Sequence, residues 1–352
     1  MNDFSRRHFA RLIGAGAALA AVPALGAENA PVILNSNENP FGPSPAALRA
    51  IRAAAADVFR YPDDAESALA EAVAAHHGVS TSEVLLGNGS SDILRLAAFA
   101  FPGKLVTAAP TFESLWRHAG ASEIVKVPLD AAFAHDLPKM RAAADGASLV
   151  YICNPNNPTA TITPKAAVRA FLDATSAPVL VDEAYHHYVE SAEYESVAPL
   201  VKAKPNLIVV RTFSKIYAMA GLRIGYAIAQ KPLIERLARQ QAFNAINLMA
   251  AVAARASLLD TGHVVLSRKR NHESRAWLVG ELQKRGYRTL PSEANFVMID
   301  TRAEVRPLIQ ALRERGVFVG RLFPPLTQHL RVTVGTPEEM KRFVDAFAAV
   351  SS

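Results

Sequence analysis

The sequence predicts an α/β fold, in which a large domain built on a doubly wound, mostly parallel sheet precedes a smaller α+β domain. The chain has 352 residues, which is more than one simple core holds. Short apolar runs rich in β-branched residues recur along it, and helical stretches separate many of them. Half of the residues are hydrophobic and a fifth are charged, as in an ordinary globular protein.

The first 27 residues are typical of an export signal. The pair Arg6 and Arg7 precedes an apolar stretch over 12–25 and small residues at 26–27. The arginine pair resembles the twin-arginine type of signal. The apolar stretch is too short for a transmembrane span, so no stable membrane anchoring is expected. We therefore expect a periplasmic location, or a cytoplasmic one if the signal is not used.

The elements of the two domains follow in order. Prolines and asparagines in the arm over 28–45 disfavour a helix there. Ser44 and Pro45 favour a helix start, and Gly78 ends the second helix. Strands are predicted at 104–109, 124–127, 149–153, 179–181, 207–211, 224–229, 296–299, 317–319 and 330–334. Helices are predicted at 46–58, 64–77, 93–101, 165–174, 232–259 with a break near 244–247, 266–284, 303–315 and 337–349. The large domain is placed at 46–255 and the small domain at 256–352.

Charge and cysteine usage exclude several classes of partner. The formal net charge is +6, but Lys and Arg are interspersed with Asp and Glu, so we expect no nucleic-acid partner. The single cysteine, Cys153, permits no intrachain disulfide and is expected to be a small buried residue. The histidine pairs at 76–77 and 186–187 do not face one ligand, because neighbouring residues point apart, so no metal is predicted.

Two segments offer groups for an anion and a polar ligand. Gly89, Ser90 and Ser91 open a predicted helix, where free N–H groups and the helix dipole bind anions. By itself this pattern also fits an ordinary capped helix. The segment 154–159, Asn-Pro-Asn-Asn-Pro-Thr, places three amides in a rigid loop after a predicted strand.

Two further segments place charged side chains after strands. Asp182 lies at a strand end, and a buried carboxylate beside a cationic ring nitrogen stays ionised. Lys215 follows a strand, beside Ser214 and eight residues before Arg223. A desolvated lysine near other cations loses its proton readily and becomes a nucleophile. Taken singly, most lysines are simply solvated.

Together these segments, the arm at 37–40 and the stretch 330–335 resemble the class I/II aminotransferases of pyridoxal-phosphate (PLP) fold type I. Within them the chain is most similar to the histidinol-phosphate aminotransferase group. The resemblance implies that Lys215 binds the cofactor as a Schiff base and then carries the proton. Asp182 would pair with the pyridine nitrogen, and Asn157 and Tyr185 would bind the phenolic oxygen. Phe112 would stack on the ring.

The resemblance also implies the anion sites and the assembly. Tyr61 would reach the phosphate of the partner subunit, so the active form is expected to be a homodimer. Arg331 would grip the anionic group of the substrate bidentately, and Asn39 and Arg321 are further substrate-binding candidates. The phosphate of PLP would be held by Gly89, Ser90, Ser91, Ser214 and Arg223.

The chain departs from the family pattern at three positions. Ala160 stands where a glycine is usual, and Phe112 stands where a tyrosine is common. Gly320 stands where the group often has an arginine. Either Arg321 serves from a shifted position, or the second anion contact is absent.

The function implied is an aminotransferase that moves an amino group from an amino acid or amino phosphate to a 2-oxo acid, with 2-oxoglutarate as the usual acceptor. One alternative is a PLP-dependent lyase, such as a decarboxylase of the phosphothreonine type, which shares the cofactor residues. Another is a PLP-binding regulator. The intact Lys215 and Arg331 favour catalysis, and only the signal and the arm precede Ser44, which leaves no room for a DNA-binding domain.

Overall fold

A computed structural model describes residues 30–351. The predicted export signal lies outside the described residues. From Val32 onward the chain forms one compact unit. Its strands are β1 Val32–Leu34, β2 Val84–Gly87, β3 Leu105–Ala109, β4 Ile124–Pro128, β5 Leu149–Cys153, β6 Val179–Asp182, β7 Leu207–Thr212, β8 Gly225–Ala229, β9 Arg288–Thr289, β10 Phe296–Asp300, β11 Val317–Val319 and β12 His329–Thr333. Its helices are α1 Pro45–Ala54, α2 Asp63–His77, α3 Ser90–Ala100, α4 Ser114–Arg117, α5 Leu137–Ala143, α6 Lys165–Ala174, α7 Lys231–Ala238, α8 Leu248–Leu259, α9 Thr261–Lys284, α10 Val305–Glu314 and α11 Pro337–Val350.

A seven-stranded sheet in the order β2-β8-β7-β6-β5-β3-β4 forms the centre of the molecule. Only the two pairings of β8, with β2 and with β7, are antiparallel, which confirms the predicted mostly parallel sheet. The carboxyl ends of β5, β6 and β7 meet at one edge, where Cys153 pairs with Asp182 and Asp182 pairs with Val210. Ligand sites of open α/β sheets lie outside this edge.

The central strands are apolar throughout because both faces of the sheet are covered. Along β5, Val150 and Ile152 belong to one hydrophobic cluster, while Leu149, Tyr151 and Cys153 belong to the cluster on the other face. Successive side chains of a strand point to opposite faces, so an uninterrupted apolar run serves two cores. Cys153 is buried, as expected.

The C-terminal part of the chain has its own hydrophobic cluster and smaller sheets. β12, β10 and β9 form an antiparallel sheet, and β1 of the arm pairs in parallel with β11. Val32 and Leu34 of the arm pack in this third cluster with α9, α10 and α11. The arm thus joins a segment near the start of the described chain to one nearly 300 residues later. The domain boundary at residue 255 stays a prediction.

Several elements differ from the sequence-based expectation, among them β1, β9, α4 and α5, which were not predicted. β2 was not predicted, and it is the strand that leads into α3. The helix expected over 46–58 ends at Ala54 and continues as a short 3-10 turn. The break expected near 244–247 in the helix over 232–259 is confirmed: α7 ends at Ala238, α8 begins at Leu248, and the side chain of Asn247 caps α8 by accepting from the backbone N–H of Ala250. An asparagine cap satisfies an N–H that an uninterrupted helix would bond internally.

No single helix between residues 30 and 351 is long and apolar enough to cross a membrane, although the pair α8 and α9, bent by 83°, passes on length and composition alone.

Candidate active site

A cavity of about 690 Å³ lies at the carboxyl edge of the central sheet. Its walls come from strand ends of this sheet, from the arm, and from α10, β11 and β12. Most of the predicted site residues meet there, although they are spread over some 240 positions of the sequence. Those lining it are Ser90, Ser91, Phe112, Asn157, Asp182, Tyr185, Ser214, Lys215, Arg223, Arg321 and Arg331.

One end of the cavity is a cradle for an anion. Gly89, with φ of 83°, immediately precedes α3, so the free N–H groups of that helix begin at Ser90. A Cβ on Gly89 would lie 2.2 Å from Nη2 of Arg223, and one on Gly225 would lie 2.6 Å from the backbone N of Ser90. Arg223 Nη1 also lies 3.4 Å from Oγ of Ser214. Because the two glycines have no side chain, the helix N–H groups, the serine hydroxyls and the arginine can approach one point. A set of N–H and O–H donors at a helix start fits a phosphate group.

Asp182 lies deep in the cavity wall at the end of β6 and is 2% exposed. Its Oδ1 accepts from the backbone N–H of Ala184 at 3.0 Å, and its Oδ2 accepts from the Tyr151 hydroxyl at 3.1 Å. Burial raises the pKa of Asp182 to about 6, although both hydrogen bonds oppose the rise. A cation placed beside this carboxylate would lower its pKa again, so the site fits a protonated ring nitrogen.

The neighbouring carboxylate has a structural role. Glu183 accepts from Arg211 at 2.9 Å and from the Ser196 hydroxyl and the backbone N–H of Val197, each at 2.7 Å. Adjacent residues at a strand end point to opposite sides, so only Asp182 of the two faces the cavity.

Lys215 follows β7 and faces the cavity, as its predicted role as a nucleophile requires. Its Nζ donates to the backbone carbonyls of Ser36 at 3.1 Å and Asn37 at 3.0 Å. Burial, and next the nearby Arg331, lower the pKa of Lys215 to about 8. A substantial fraction of this amine is therefore neutral near pH 7–8 and able to attack a carbonyl carbon.

Of the three amides in the 154–159 loop, only Asn157 lines the cavity. Its Nδ2 donates to the Tyr185 hydroxyl at 3.3 Å. Asn154 instead bonds the backbone of Thr163 through both ends of its amide. Asn156 donates to the carbonyl of Pro110 and to Oγ1 of Thr159, so these two amides hold the loop in shape.

The departure at Ala160 has a local consequence. Ala160 is fully buried and adopts φ of 63°, in the left-handed region that favours glycine. Its backbone N–H still donates to the carbonyl of Asn156. The loop therefore keeps the turn that a glycine would form, and no cavity-lining side chain is displaced.

Arg331 lies opposite the sheet edge, on β12, and is 7% exposed. Nη1 donates to Oδ1 of Asn157 and Nη2 to the carbonyl of Asn35, both at 2.7 Å, while the buried Nε has no hydrogen-bond partner. Its Cζ lies 4.6 Å from the ring centre of Phe323. Burial lowers the pKa of Arg331 to about 10, so the cation is retained at neutral pH. A buried cation with an unused donor fits the anionic group of a substrate.

The departure at Gly320 has a steric reason. A Cβ at this position would lie 2.8 Å from the carbonyl oxygen of Arg331 and 3.2 Å from its Nε, so an arginine does not fit there without a shift of β12. The next residue, Arg321, lines the cavity mouth and donates to Oε2 of Glu113 at 2.9 Å. The arginine one position later, Arg321, therefore lies within reach of a ligand at the mouth.

Besides Gly89, which precedes the helix start of the cradle, two predicted site residues are not among those that line this cavity. Asn39 lines a neighbouring cavity of about 350 Å³, and its Nδ2 donates to the carbonyl of Ile216 at 2.8 Å, so its side chain fixes the arm beside the lysine loop. Tyr61 lies on the surface with 78% of the residue exposed. Tyr151, Arg306 and Arg313 contact or line the site and were not predicted from the sequence. Tyr151 lies within an apolar run, which gives no sign of a site. The two arginines lie on α10, whose charged residues are typical of any solvent-exposed helix.

Comparisons with known proteins identify the family of this chain. The family model "Aminotransferase class I and II" matches residues 30–347. The histidinol-phosphate aminotransferase of Moorella thermoacetica is 41% identical over 329 residues, covering 90% of this chain and 84% of that protein. The crystal structure of the Sinorhizobium meliloti histidinol-phosphate aminotransferase in complex with pyridoxal-5'-phosphate is 27% identical, with a TM-score of 0.86 over 99% of this chain and 98% of that one.

A third comparison concerns the fold alone. L-threonine-O-3-phosphate decarboxylase from Porphyromonas gingivalis is 22% identical, with a TM-score of 0.79 over 90% of this chain and 98% of that one. Fold does not set the reaction. The family model and the Moorella relative, together with the lysine, carboxylate and phosphate cradle, do so at the level of the reaction class. This chain belongs to the class I and II aminotransferases and is a pyridoxal-phosphate-dependent transaminase of PLP fold type I.

Proposed function

We propose that this aminotransferase takes its amino group from a donor with an anionic group, that histidinol phosphate is the first donor to test, and that 2-oxoglutarate is the acceptor. The observation that carries the proposal is that Lys215 and the buried Arg331 line the same cavity. The Moorella relative, named a histidinol-phosphate aminotransferase, supports the choice of donor.

The charges around the mouth favour an anionic donor. The cationic side chains that line the cavity are Lys215, Arg223, Arg306, Arg313, Arg321 and Arg331, and the acidic ones are Glu38, Glu113 and Asp182. Glu113 already pairs with Arg117 as well as with Arg321. A cleft with an excess of one sign of charge raises the local concentration of the opposite charge.

The residues of the inner cavity divide the work of the reaction. PLP, when bound, supplies an electron sink. The Gly89–Ser91 helix start, Ser214 and Arg223 bind the phosphate, and Asp182 keeps a proton on the ring nitrogen. Phe112 lines the cavity where it can stack on the ring.

Lys215 performs the proton transfers. Its amine would hold the cofactor by condensing with the cofactor's carbonyl carbon, with release of water, and would be free to act as a base once the donor's amine takes its place. Because its pKa is lowered, part of the amine is neutral and would accept the proton from the donor's reacting carbon. The resulting ammonium would then return that proton two atoms away, which completes a 1,3-proton shift. Arg331 orients the donor for this transfer by holding its anionic group.

The test follows the visible absorption of the purified, PLP-loaded enzyme while donors are added singly without a 2-oxo acid. Histidinol phosphate should abolish the band of the lysine-bound cofactor, and 2-oxoglutarate should restore it. The matched control is an amine of similar size that lacks the anionic group, and it should react far more slowly. If no donor changes the band and an amine or CO₂ is released instead, the decarboxylase alternative replaces this proposal.

We propose that the active form is a homodimer. Large apolar side chains stand exposed near the Tyr61 segment and beyond α7: Val58 is 61% exposed, Phe59 72% and Phe243 92%. Exposed apolar groups of this size are typical of interaction surfaces. Sedimentation of wild-type and Phe59→Asp protein tests this, since the substitution should shift the mass toward that of one chain. A single-chain mass for active wild-type enzyme would contradict the dimer.

We also propose that the twin-arginine-type signal exports the enzyme to the periplasm. The support is the sequence alone: Arg6 and Arg7 followed by an apolar stretch. Cell fractionation of the full chain tests the proposal. Replacing both arginines by lysine should retain the enzyme in the cytoplasm, while the matched variant Arg11→Lys should still be exported. Cytoplasmic wild-type protein with an intact N-terminus would contradict it.

A further inference from the structure

Asn37, in the arm, forms hydrogen bonds with Tyr185, Lys215 and Asn295. It is 1% exposed and adopts φ of 52°, a left-handed conformation that asparagine tolerates better than most residues. Its Nδ2 lies 3.0 Å from the Tyr185 hydroxyl. Its backbone carbonyl accepts from Asn295 and from Nζ of Lys215, each at 3.0 Å. An arm residue with so many fixed contacts is placed to control the groups that it touches.

The direction of the bond between Asn157 and Tyr185 follows from Arg331. A guanidinium group can only donate, so the amide atom 2.7 Å from Nη1 of Arg331 must be the carbonyl oxygen of Asn157. The other end of that amide, the NH₂ group, therefore faces Tyr185. The Tyr185 oxygen is the acceptor in this bond.

The direction of the bond between Asn37 and Tyr185 depends on Thr333, which is 3% exposed. Oγ1 of Thr333 accepts from the backbone N–H of Asn37 at 2.9 Å, and among the described residues its own hydrogen has one acceptor, Oδ1 of Asn37 at 3.3 Å. A reversed Asn37 amide would leave this buried hydrogen without a partner. The NH₂ group of Asn37 is left to face Tyr185. The Tyr185 oxygen therefore accepts a second time.

Because the Tyr185 oxygen accepts two hydrogen bonds, the hydroxyl group can still form one more bond, in which it donates its own hydrogen. A phenolic hydroxyl has one hydrogen to donate, and neither asparagine NH₂ group can accept it. Tyr185 lines the cavity, is 3% exposed, and its ring packs edge-on against Phe296 at 5.1 Å between centres. The ring is thus held, and the hydrogen is directed to whatever acceptor occupies the cavity.

We propose that Asn37 is a positioning residue which, with Asn157, holds the Tyr185 hydroxyl as an obligate donor to the phenolic oxygen of the bound cofactor. This inference rests on the PLP chemistry of the proposed function. It also connects the substrate-binding arginine to the cofactor, because the contacts run from Arg331 through Asn157 to Tyr185 and from there to Asn37 and Thr333.

The test is a pH titration of the visible band of the PLP-loaded enzyme, which reports when the cofactor–lysine linkage loses its proton. A hydrogen bond to the phenolic oxygen withdraws negative charge from it, so the neighbouring proton is held less strongly. Weakening that bond should raise the titration midpoint. We expect Tyr185→Phe to raise it by about one pH unit and Asn37→Gly by about half a unit. Glycine is chosen because it keeps the left-handed conformation and adds no charge.

The deciding measurement is the double variant. If Asn37 acts through Tyr185, Asn37→Gly should not move the midpoint further in a Tyr185→Phe background. Equal shifts in both backgrounds, or no shift in the folded, loaded single variant, would overturn the inference.

Thr333→Val is the second variant, because it removes the hydroxyl that orients the Asn37 amide and accepts from the Asn37 backbone N–H, while Thr333 does not line the active-site cavity. It should shift the midpoint in the same direction as Asn37→Gly, and have no effect in the Asn37→Gly background. A purely structural role for Thr333 would lower the melting temperature without moving the midpoint. If wild-type enzyme shows no visible band with added PLP, the proposed function itself fails, which is a different result from an unmoved midpoint.

Discussion

The active-site cavity has two unlike regions. The inner wall, formed by Asn157, Asp182, Tyr185 and Lys215, is built at the sheet edge, and the first three of these residues are 8%, 2% and 3% exposed. The mouth, formed by Arg306, Arg313, Arg321 and Glu113, is built on α10, the segment after β11 and the segment before α4, and the side chain of Arg321 is 52% exposed.

The difference separates the reaction from the choice of donor. In the inner wall every group has its partners and orientation set by the fold, so electrostatic effects are strong and reorganisation on binding is small. At the mouth the arginines are solvated and screened, so each contributes little to binding. Arg331 lies between the two regions, since it is buried like the wall and cationic like the mouth. Substitutions should therefore lose less activity as they move outward.

The largest effect is expected at Lys215. Lys215→Ala removes both the nucleophile and the base, so kcat should fall at least about 10⁴-fold. The visible band of the lysine-bound cofactor should vanish, although PLP still binds in the phosphate cradle. Steady-state kinetics and absorption spectra measure both. The control Lys204→Ala, at a partly exposed lysine outside the cavity that pairs with Asp173, should leave both unchanged. Retained turnover in Lys215→Ala would remove the basis of the inner-wall assignment.

The next effect is expected at Asp182. Asp182→Asn keeps the shape of the side chain and removes its charge, so the ring nitrogen loses the group that keeps it protonated. We expect kcat to fall about 10²–10³-fold, as for the loss of other buried electrostatic partners. Glu183→Gln is the instructive comparison, because it should reduce the free energy of unfolding by breaking the buried pair with Arg211. A kinetic loss in Glu183→Gln equal to that in Asp182→Asn, in folded protein, would contradict the distinction between them.

An intermediate effect is expected at Arg331. Arg331→Lys keeps a cation but loses the planar pair of donors, and it leaves Oδ1 of Asn157 without its partner. We expect kcat/KM for an anionic donor to fall about 10²-fold, mostly through KM. The rate with the uncharged amine should change much less. Equal losses for both donors would show that Arg331 supports the fold of the site and not the recognition of the anion.

The smallest effects are expected at the mouth. Arg306→Gln and Arg313→Gln should each raise KM for the phosphorylated donor only about two- to five-fold, with kcat unchanged. The effect should shrink as ionic strength rises, because exposed charges are screened within about 8 Å at physiological salt. Kinetics at low and high salt measure this. A 10²-fold effect of either substitution that persists at high salt would place that arginine in direct contact with the donor and erase the contrast between mouth and wall.

Much of the fold was readable because local rules and burial agree. Ser44 caps α1, and Gly78 ends α2 with φ of 62°, as their residue types predict. The strand β5 was predicted at its observed bounds, since a run of five apolar residues fits a strand buried on both faces. β2, with four residues, was missed, although the three-residue strand β11 was predicted.

The candidate site was readable where a motif names a residue type, and unreadable where only contact does. Lys215, Asp182 and Asn157 belong to motifs in which residue order carries the chemistry. Asn39 was assigned from the same arm motif, but it bonds to Ile216 outside the main cavity. Asn37, two positions earlier, has the contact with Tyr185. Choosing between two asparagines requires knowing which one faces the sheet, and the extended arm gives no periodicity that decides it.

The sequence by itself predicted which groups share the site but left the lyase alternative open, because phosphate-binding groups, a carboxylate and a lysine follow strand ends in this order, and parallel strands bring their carboxyl ends to one edge. Only the tertiary structure decided how these groups are oriented. The pairing of β1 with β11 brings the arm against β12, so Asn37 meets Tyr185 and Thr333, and Gly320 leaves space for Arg331. Hydrogen bonds are directional and short in range. Their partners here lie up to 296 residues apart in the chain, a separation that no local pattern encodes.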